Sequence, residues 1–389
     1  MISPARQSRP KVEGLFGKEF KKEPHKFWHD LRGVSPVAWC DEINGWLVTS
    51  RAAAIEALTK TEFSADVYEK FRPSPLAPSS FELPEAKNVI FRTSLRPLSE
   101  GRELRTGLIT HIAGELAAGL ASRTQIEFVR DYVQPLSRAL VRAWLGISDD
   151  QLNHLCGLMH FVTHSGEQEV RDTAMKMLKS DLLLLLSKKR KTLDGWFFAQ
   201  IFKTLGSAQC DDADLLAFIG PMILSVVEKS NNRLLTHCLL ASCLWPEIQT
   251  QIRRGGLTVA RRAAIEASRW EPITQIVPRR TTSASALGEV TIDTDERVFI
   301  VLTAACRDPS WHKNPDFFDL DRPESSLAFG VGRHGCIGRD LAVEVAAICL
   351  VCLLQEYSIE IDASYAPEFV VQFGRSCMQL HLRLSKRAP

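Results

Sequence analysis

The chain has 389 residues, ten cysteines and a formal charge of +2, with 45% apolar and 24% charged residues. That balance is ordinary for a globular protein long enough to bury a large core. A charge so close to neutral argues against nucleic-acid binding, which shows as a strongly basic domain or face.

The first twenty residues lack the apolar run of an export signal. A cytoplasmic location and mostly free thiols are therefore expected. Around Asn44-Gly45 the pattern predicts a hairpin, Val37 to Cys40 paired with Trp46 to Thr49. Ser50 then caps a helix over Arg51 to Thr59. Residues 72–85, rich in proline and serine, read as a loop. Helical spacing follows from about Arg102 to Trp144, from about 150 to 206 and from about 214 to 271. The run Leu182 to Leu186 is far shorter than the roughly 18 apolar residues a membrane helix needs, and no stretch approaches that length. The basic run Lys188 to Lys191 reads as a solvated helix end that complements the dipole. Between Gln275 and Leu302 lie two short strands, GEVTID and VFIVL. A glycine-rich loop, a long apolar helix and a β-rich tail complete the chain. With no repeat and no linker, one domain over residues 1–389 is expected, mostly α with a minor β portion.

The chemistry concentrates at FGVGRHGCIGRDLA, from Phe329. Gly330, Gly332 and Gly335 precede Cys336, and Gly338 follows it. Glycine permits positive φ and close approach to a flat ligand. After Ile337 the sequence is strongly helical, so Cys336 sits at a helix N-terminus. Unpaired amides and the helix dipole there favour a thiolate, the metal-binding form of cysteine. The other cysteines show no zinc spacing, and most, Cys349 and Cys352 in their apolar run among them, read as small buried hydrophobes.

This stretch resembles the haem-binding signature of the cytochrome P450 family, F-x-x-G-x-x-x-C-x-G, in its bacterial, soluble form. The resemblance implies a triangular, mostly α fold, with a long I helix over the haem and the cysteine loop before the L helix. It implies haem b (iron protoporphyrin IX), with Cys336 as axial ligand and Phe329 packed on the thiolate side. His334 is implied to approach a propionate, and Gly338 belongs to the cofactor loop. Glu266 and Arg269, three apart on one helix face, resemble the family's ExxR pair, with Arg322 as third member; all three are assigned to the fold. Arg279 falls where the family places a propionate-binding arginine, with Arg280 as near competitor. LSEGRELR resembles the C-helix propionate segment, in which Arg105 matches and Gly101 replaces the usual histidine.

One stretch departs from the pattern. The I helix usually reads Ala/Gly-Gly-x-Asp/Glu-Thr, and its acid and threonine deliver protons to bound dioxygen. Here Glu228 supplies the acid, Val226 replaces the glycine, and Lys229 with Ser230 stands where threonine is expected. Three readings are open. Lys229 points away, and ordinary hydroxylation of a small organic molecule proceeds; or the site performs oxidative cyclisation, coupling or another non-hydroxylating reaction; or the protein is a non-catalytic haem-binding partner. The default expectation is a monooxygenase of bacterial secondary metabolism. Its small-molecule substrate would be walled by the 72–85 loop, the helix before Glu228, Ile273 to Val277 and the tail near Phe373. Its electrons would come from a separate ferredoxin or flavodoxin. No nucleic acid and no membrane partner is expected.

Overall fold

The computed structural model describes residues 10–15, 17–65, 89, 92, 102–193, 195–205, 211–217, 220, 230–323, 326–371 and 375–387. The 72–85 loop, Glu228, Lys229 and Phe373 lie outside that set, as does the side chain of Ser230. Short elements open the chain: β1 (Lys11–Val12), α1 (Lys18–Lys22) and α2 (Pro24–Val34). The expected hairpin forms as β2 (Val37–Cys40) and β3 (Gly45–Val48), turned by Asn44 at φ 47°. Helix α3 (Arg51–Thr59) follows, and Ser50 caps it by accepting from the Ala53 amide at 3.4 Å. Then come β4 (Phe63–Ser64), α4 (Arg102–Ala118), β5 (Gln125–Glu127), α5 (Gln134–Leu145), α6 (Asp149–His164), α7 (Gln168–Thr192) and α8 (Trp196–Leu205). The second half holds α9 (Ser230–Leu244), α10 (Glu247–Trp270), β6 (Ile276–Thr281), β7 (Ser285–Leu287), β8 (Val290–Ile292), β9 (Arg297–Val301) and α11 (Leu302–Cys306). It closes with α12 (Arg339–Glu356), β10 (Tyr357–Ile361), β11 (Phe369–Val371), β12 (Arg375–Cys377) and β13 (His381–Lys386).

The fold is mostly helical with small sheets at one side, as the sequence led us to expect. A six-stranded sheet runs in the order β1-β2-β3-β9-β6-β4, and a three-stranded sheet in the order β10-β13-β5. Trp46 is buried in the large sheet, and its indole N–H donates to Glu296 at 2.7 Å. The main core lies among α4, α5, α9, α10 and α12. Helix α12 packs against α10, α4 and α9 and is apolar nearly all round, as a helix enclosed on several sides must be. No described helix is long and apolar enough to cross a membrane.

Helix α10 positions the loop that leads to the cysteine. Glu266 and Arg269 are almost fully buried on its inner face. Arg269 donates to both Glu266 oxygens, at 2.7 and 2.8 Å, and Arg322 Nε reaches Oε1 at 3.1 Å. The remaining guanidinium donors take backbone carbonyls. Arg269 bonds Pro315 and Phe317, and Arg322 bonds Lys313, Asn314 and Phe317. A loop without regular structure thus has its carbonyls satisfied by two arginines standing on one carboxylate.

The basic run at the end of α7 is only partly a solvated end. Lys189 is 2% exposed, and its ammonium donates at 2.5 Å to the Gly146 carbonyl at the end of α5. An ammonium on a helix C-terminus is favourable whichever helix carries it. Arg190 pairs with Asp212 at 2.8 Å. Lys188, Arg190 and Lys191 are exposed.

Two predictions follow from these contacts. Glu266→Ala would leave Arg269 and Arg322 buried without their carboxylate, and should cost about 3–5 kcal/mol in chemical denaturation. The second concerns His312, which is buried with no partner for Nε2 among the described residues. Burial, with the charges of Arg269, Arg322 and Arg51, lowers its pKa from 6.5 to about 4. The unfolded chain therefore takes up a proton that the folded chain resists. Its stabilising share is complete above pH 6.5 and is lost as the pH falls towards 4. That loss is on the order of 3 kcal/mol. His312→Gln should flatten this part of a Tm-against-pH curve, and an unchanged slope would contradict the assignment.

Candidate active site

The loop before α12 is closed on itself. The Cys336 amide donates to Phe329 O at 2.7 Å, Gly330 N to Leu327 O at 2.8 Å and Gly335 N to Gly332 O at 3.1 Å. Gly330 and Gly332 both have positive φ, 66° and 73°. At Gly332 a Cβ would also stand 3.2 Å from Leu58 O on α3, so the loop lies against that helix too closely for a side chain. Phe329 is half-buried against the main core.

Cys336 is the one exposed cysteine among the described residues. Burial raises its thiol pKa on balance, against the amide of Gly338, the charge of Arg92 and the amide of Arg339, which pull it down. Those two amides stand at the start of α12, so the helix terminus acts on the sulphur in the expected direction without outweighing burial. A Cβ on Gly338 would lie 3.9 Å from the sulphur, in van der Waals contact with it. The other cysteines differ: burial pushes Cys243 up to about 12 and Cys306 up to about 11. They behave as the buried hydrophobes expected of them.

Around His334 the charges share one sign. Its pKa falls to about 4 through burial and the neighbouring cations Arg279, Arg333 and Arg92. Arg92 donates to the carbonyl of Gly335 at 2.6 Å, which ties it to the residue before the cysteine. Arg279 is 2% exposed on β6, whereas Arg280 faces the other way and pairs with Asp295. Strand alternation separates these neighbours and selects Arg279 as the arginine of this cluster. Several guanidinium groups gathered at one place suit a ligand carrying carboxylates.

These residues fit a haem. The donor is a single open thiol held by helix amides, and the described residues hold no His/Cys/Asp/Glu group able to bind a bare metal ion. A metal at Cys336 would therefore need its other ligands from a prosthetic group. The arginine cluster offers the counter-charge for propionates, and the glycines clear the approach.

Arg105, expected at a propionate, is buried and paired with the buried Glu344 on α12, which also accepts from Thr106 at 2.5 Å. The pairing follows from packing, because α4 and α12 lie face to face and Glu344 needs a cation there. Sequence reading missed Arg92, since nothing in its neighbours marks it; only the fold carries it to the cysteine loop. A cleft of about 550 Å³ lined by Trp311, His312, Lys313 and Phe317 opens elsewhere, on the loop held by Arg322. It contains none of the cysteine-loop residues.

Residues 253–377 match the family described as Cytochrome P450. The chain is 24% identical over 363 residues to the biotin biosynthesis cytochrome P450 of Bacillus subtilis (strain 168), covering 87% of this chain and 90% of that one. Over this third of the chain and in this relative alike, the likeness is to bacterial cytochrome P450s. The chain is also 25% identical over 348 residues to the vitamin D(3) 25-hydroxylase of Pseudonocardia autotrophica, covering 84% and 85%. Among solved structures, P450BioI in complex with an acyl carrier protein ligated to hexadec-9Z-enoic acid matches with a TM-score of 0.82. That match is 21% identical and covers 94% of this chain and 99% of the other. These similarities support an oxidoreductase that carries haem.

The two arginines should separate on substitution. Arg105→Met strands the Glu344 carboxylate and should lower stability by about 3–5 kcal/mol in denaturant. Arg279→Met should instead speed haem loss to apomyoglobin by about tenfold, equivalent to 1.4 kcal/mol. The reverse pattern would place Arg105 at the propionates.

Proposed function

We propose that this chain is a cytochrome P450 monooxygenase that binds haem b through Cys336 and oxidises a small or medium organic molecule in bacterial specialised metabolism. One observation carries the reading: the single exposed described cysteine stands at the start of α12 with two backbone amides directed at its sulphur. Bound there, haem supplies oxygen activation, and thiolate donation to the iron favours O–O cleavage.

The chain's own residues then have distinct tasks. Cys336 holds the iron, with its thiolate stabilised by the Gly338 and Arg339 amides. Arg279, with Arg92 beside it, neutralises propionate charge. His334, set among these cations, offers the propionates a hydrogen-bond donor. Phe329 shields the sulphur from water. Gly338 keeps the start of α12 free of bulk. On the distal side, Glu228, Lys229 and Ser230 are the proposed catalytic residues; their support is the sequence alone. A ferredoxin in the cytoplasm is the proposed electron donor. The exposed Arg333 and the nearby Arg339 give the cysteine side of the molecule a positive character that suits an acidic partner.

The test is the absorption spectrum of purified holoprotein, ferric and then reduced under carbon monoxide. A red-shifted Soret band typical of thiolate ligation is expected, and Cys336→Ala should abolish it. Failure to bind haem, or a band unchanged in Cys336→Ala, overturns the assignment.

A further inference from the structure

Immediately after α10 stands a carboxylate outside the chemistry above. Glu271 is 1% exposed. Its Oε2 is 2.9 Å from His25 Nε2 on α2, accepts from Arg375 on β12 and lies 4.0 Å from Arg307. Its Oε1 accepts from Gln275 at 3.3 Å, and the same amide group donates to Pro272 O at 2.7 Å. Its main-chain carbonyl is 3.0 Å from Nδ1 of the buried His237 on α9. Arg375 in turn covers the Phe369 ring at 3.8 Å, and that ring lies 5.9 Å from His237. One side chain therefore joins the first long helix, the β11–β12 hairpin and the segment leading into β6, while the same residue's carbonyl meets the central helix α9.

Desolvation alone would favour the neutral acid, yet the His25 hydrogen bond and the charge of Arg375 hold Glu271 below the usual carboxylate range, with both histidines themselves lowered by burial. The site is an ionised clamp. Its place relative to the haem cradle follows from β6. Arg279, in the cluster around His334, stands three residues beyond Ile276, roughly 10 Å along an extended strand. The segment between the clamp and the cradle carries Ile273, Ile276 and Val277, each only half-buried. Apolar surface left half-open beside a haem cradle is what a small organic ligand meets.

We propose that Glu271 is a positioning residue for substrate recognition, its two oxygens fixing the β11–β12 hairpin against the 273–277 segment and so setting the width of the pocket between them. Oε2 fixes the hairpin through Arg375, and Oε1 fixes the segment through Gln275. The inference rests on the haem-thiolate reading above. It predicts a dependence on ligand size, because a loosened wall matters little to a ligand too small to touch it.

Two iron-binding azoles of different bulk test it on the holoprotein: imidazole and 4-phenylimidazole, each titrated by spectral shift. Glu271→Gln keeps the shape and removes the charge. The expected result is a change of roughly tenfold, about 1.4 kcal/mol, in the ratio of the two affinities. Imidazole binding and the ferrous carbonyl band should be retained. His25→Ala, which removes only the arm to α2, should give a smaller change in the same direction. Arg375→Lys, which keeps a cation for Glu271, should stay close to wild type. If Glu271→Gln does not fold, His25→Ala against Arg375→Lys decides, and equal ratios in those two overturn the proposal. An unchanged ratio in a folded Glu271→Gln overturns it directly. Wild-type protein without a thiolate-type carbonyl band would instead sink the haem reading, so the two failures are distinct.

Discussion

The Glu266 carboxylate is the interaction on which the rest depends. It is buried and ionic, and such groups are seldom net stabilisers against apolar residues of equal volume. Its contribution is geometric. By drawing Arg269 and Arg322 inward it presents a set of fixed donors to the carbonyls of residues 313–317, a stretch with no strand or helix to satisfy them. Buried backbone carbonyls need partners, and here Arg269 of α10 and Arg322 of the loop itself, both held by Glu266, supply them. The loop's course towards the cysteine is therefore dictated from α10 rather than by its own propensity.

A second organising element is β6. At one end it begins where the Glu271 clamp ends, and towards the other it carries Arg279 into the cluster around His334. Its neighbours β9 and β4 hold it in antiparallel register, Val277 opposite Ile300 and Phe63 opposite Thr281. A strand held on both edges gives little freedom to the residues it carries. Pocket wall and propionate arginine are thereby placed by one rigid piece of backbone.

Much of this was legible in the sequence, for a physical reason. The hairpin at Asn44-Gly45, the Ser50 cap, the glycine loop and the Glu266–Arg269 spacing are short-range features, whose geometry is set by neighbours in the chain. Assignment of Arg322 to Glu266 crossed a longer gap, and needed a family resemblance as well as spacing. Where two partners meet only through tertiary packing, the sequence was silent or misleading. Arg105 reads as a propionate residue from its local pattern, which gives no sign of Glu344 opposite it on another helix. Lys189 reads as one solvated cation in a basic run, but the end of α5 stands over it. Arg92 and Glu271 carry no local mark at all. The distal residues Glu228, Lys229 and Ser230 remain a matter of sequence.

Helix α10 contains a break whose consequence is one of phase. Gly256 adopts φ 57° and ψ −143° inside an otherwise continuous helix. In an unbroken helix each inserted or deleted residue rotates everything beyond it by about 100°, since one turn takes 3.6 residues. The hydrogen-bond ladder does not pass through a residue in that conformation. Residues 247–255, which anchor Gln249 to Ile359 O at 2.6 Å, are thus uncoupled in rotation from the turn that carries Glu266 and Arg269. The outer half of the helix is free to drift in length over evolutionary time without turning the buried carboxylate away from its arginines.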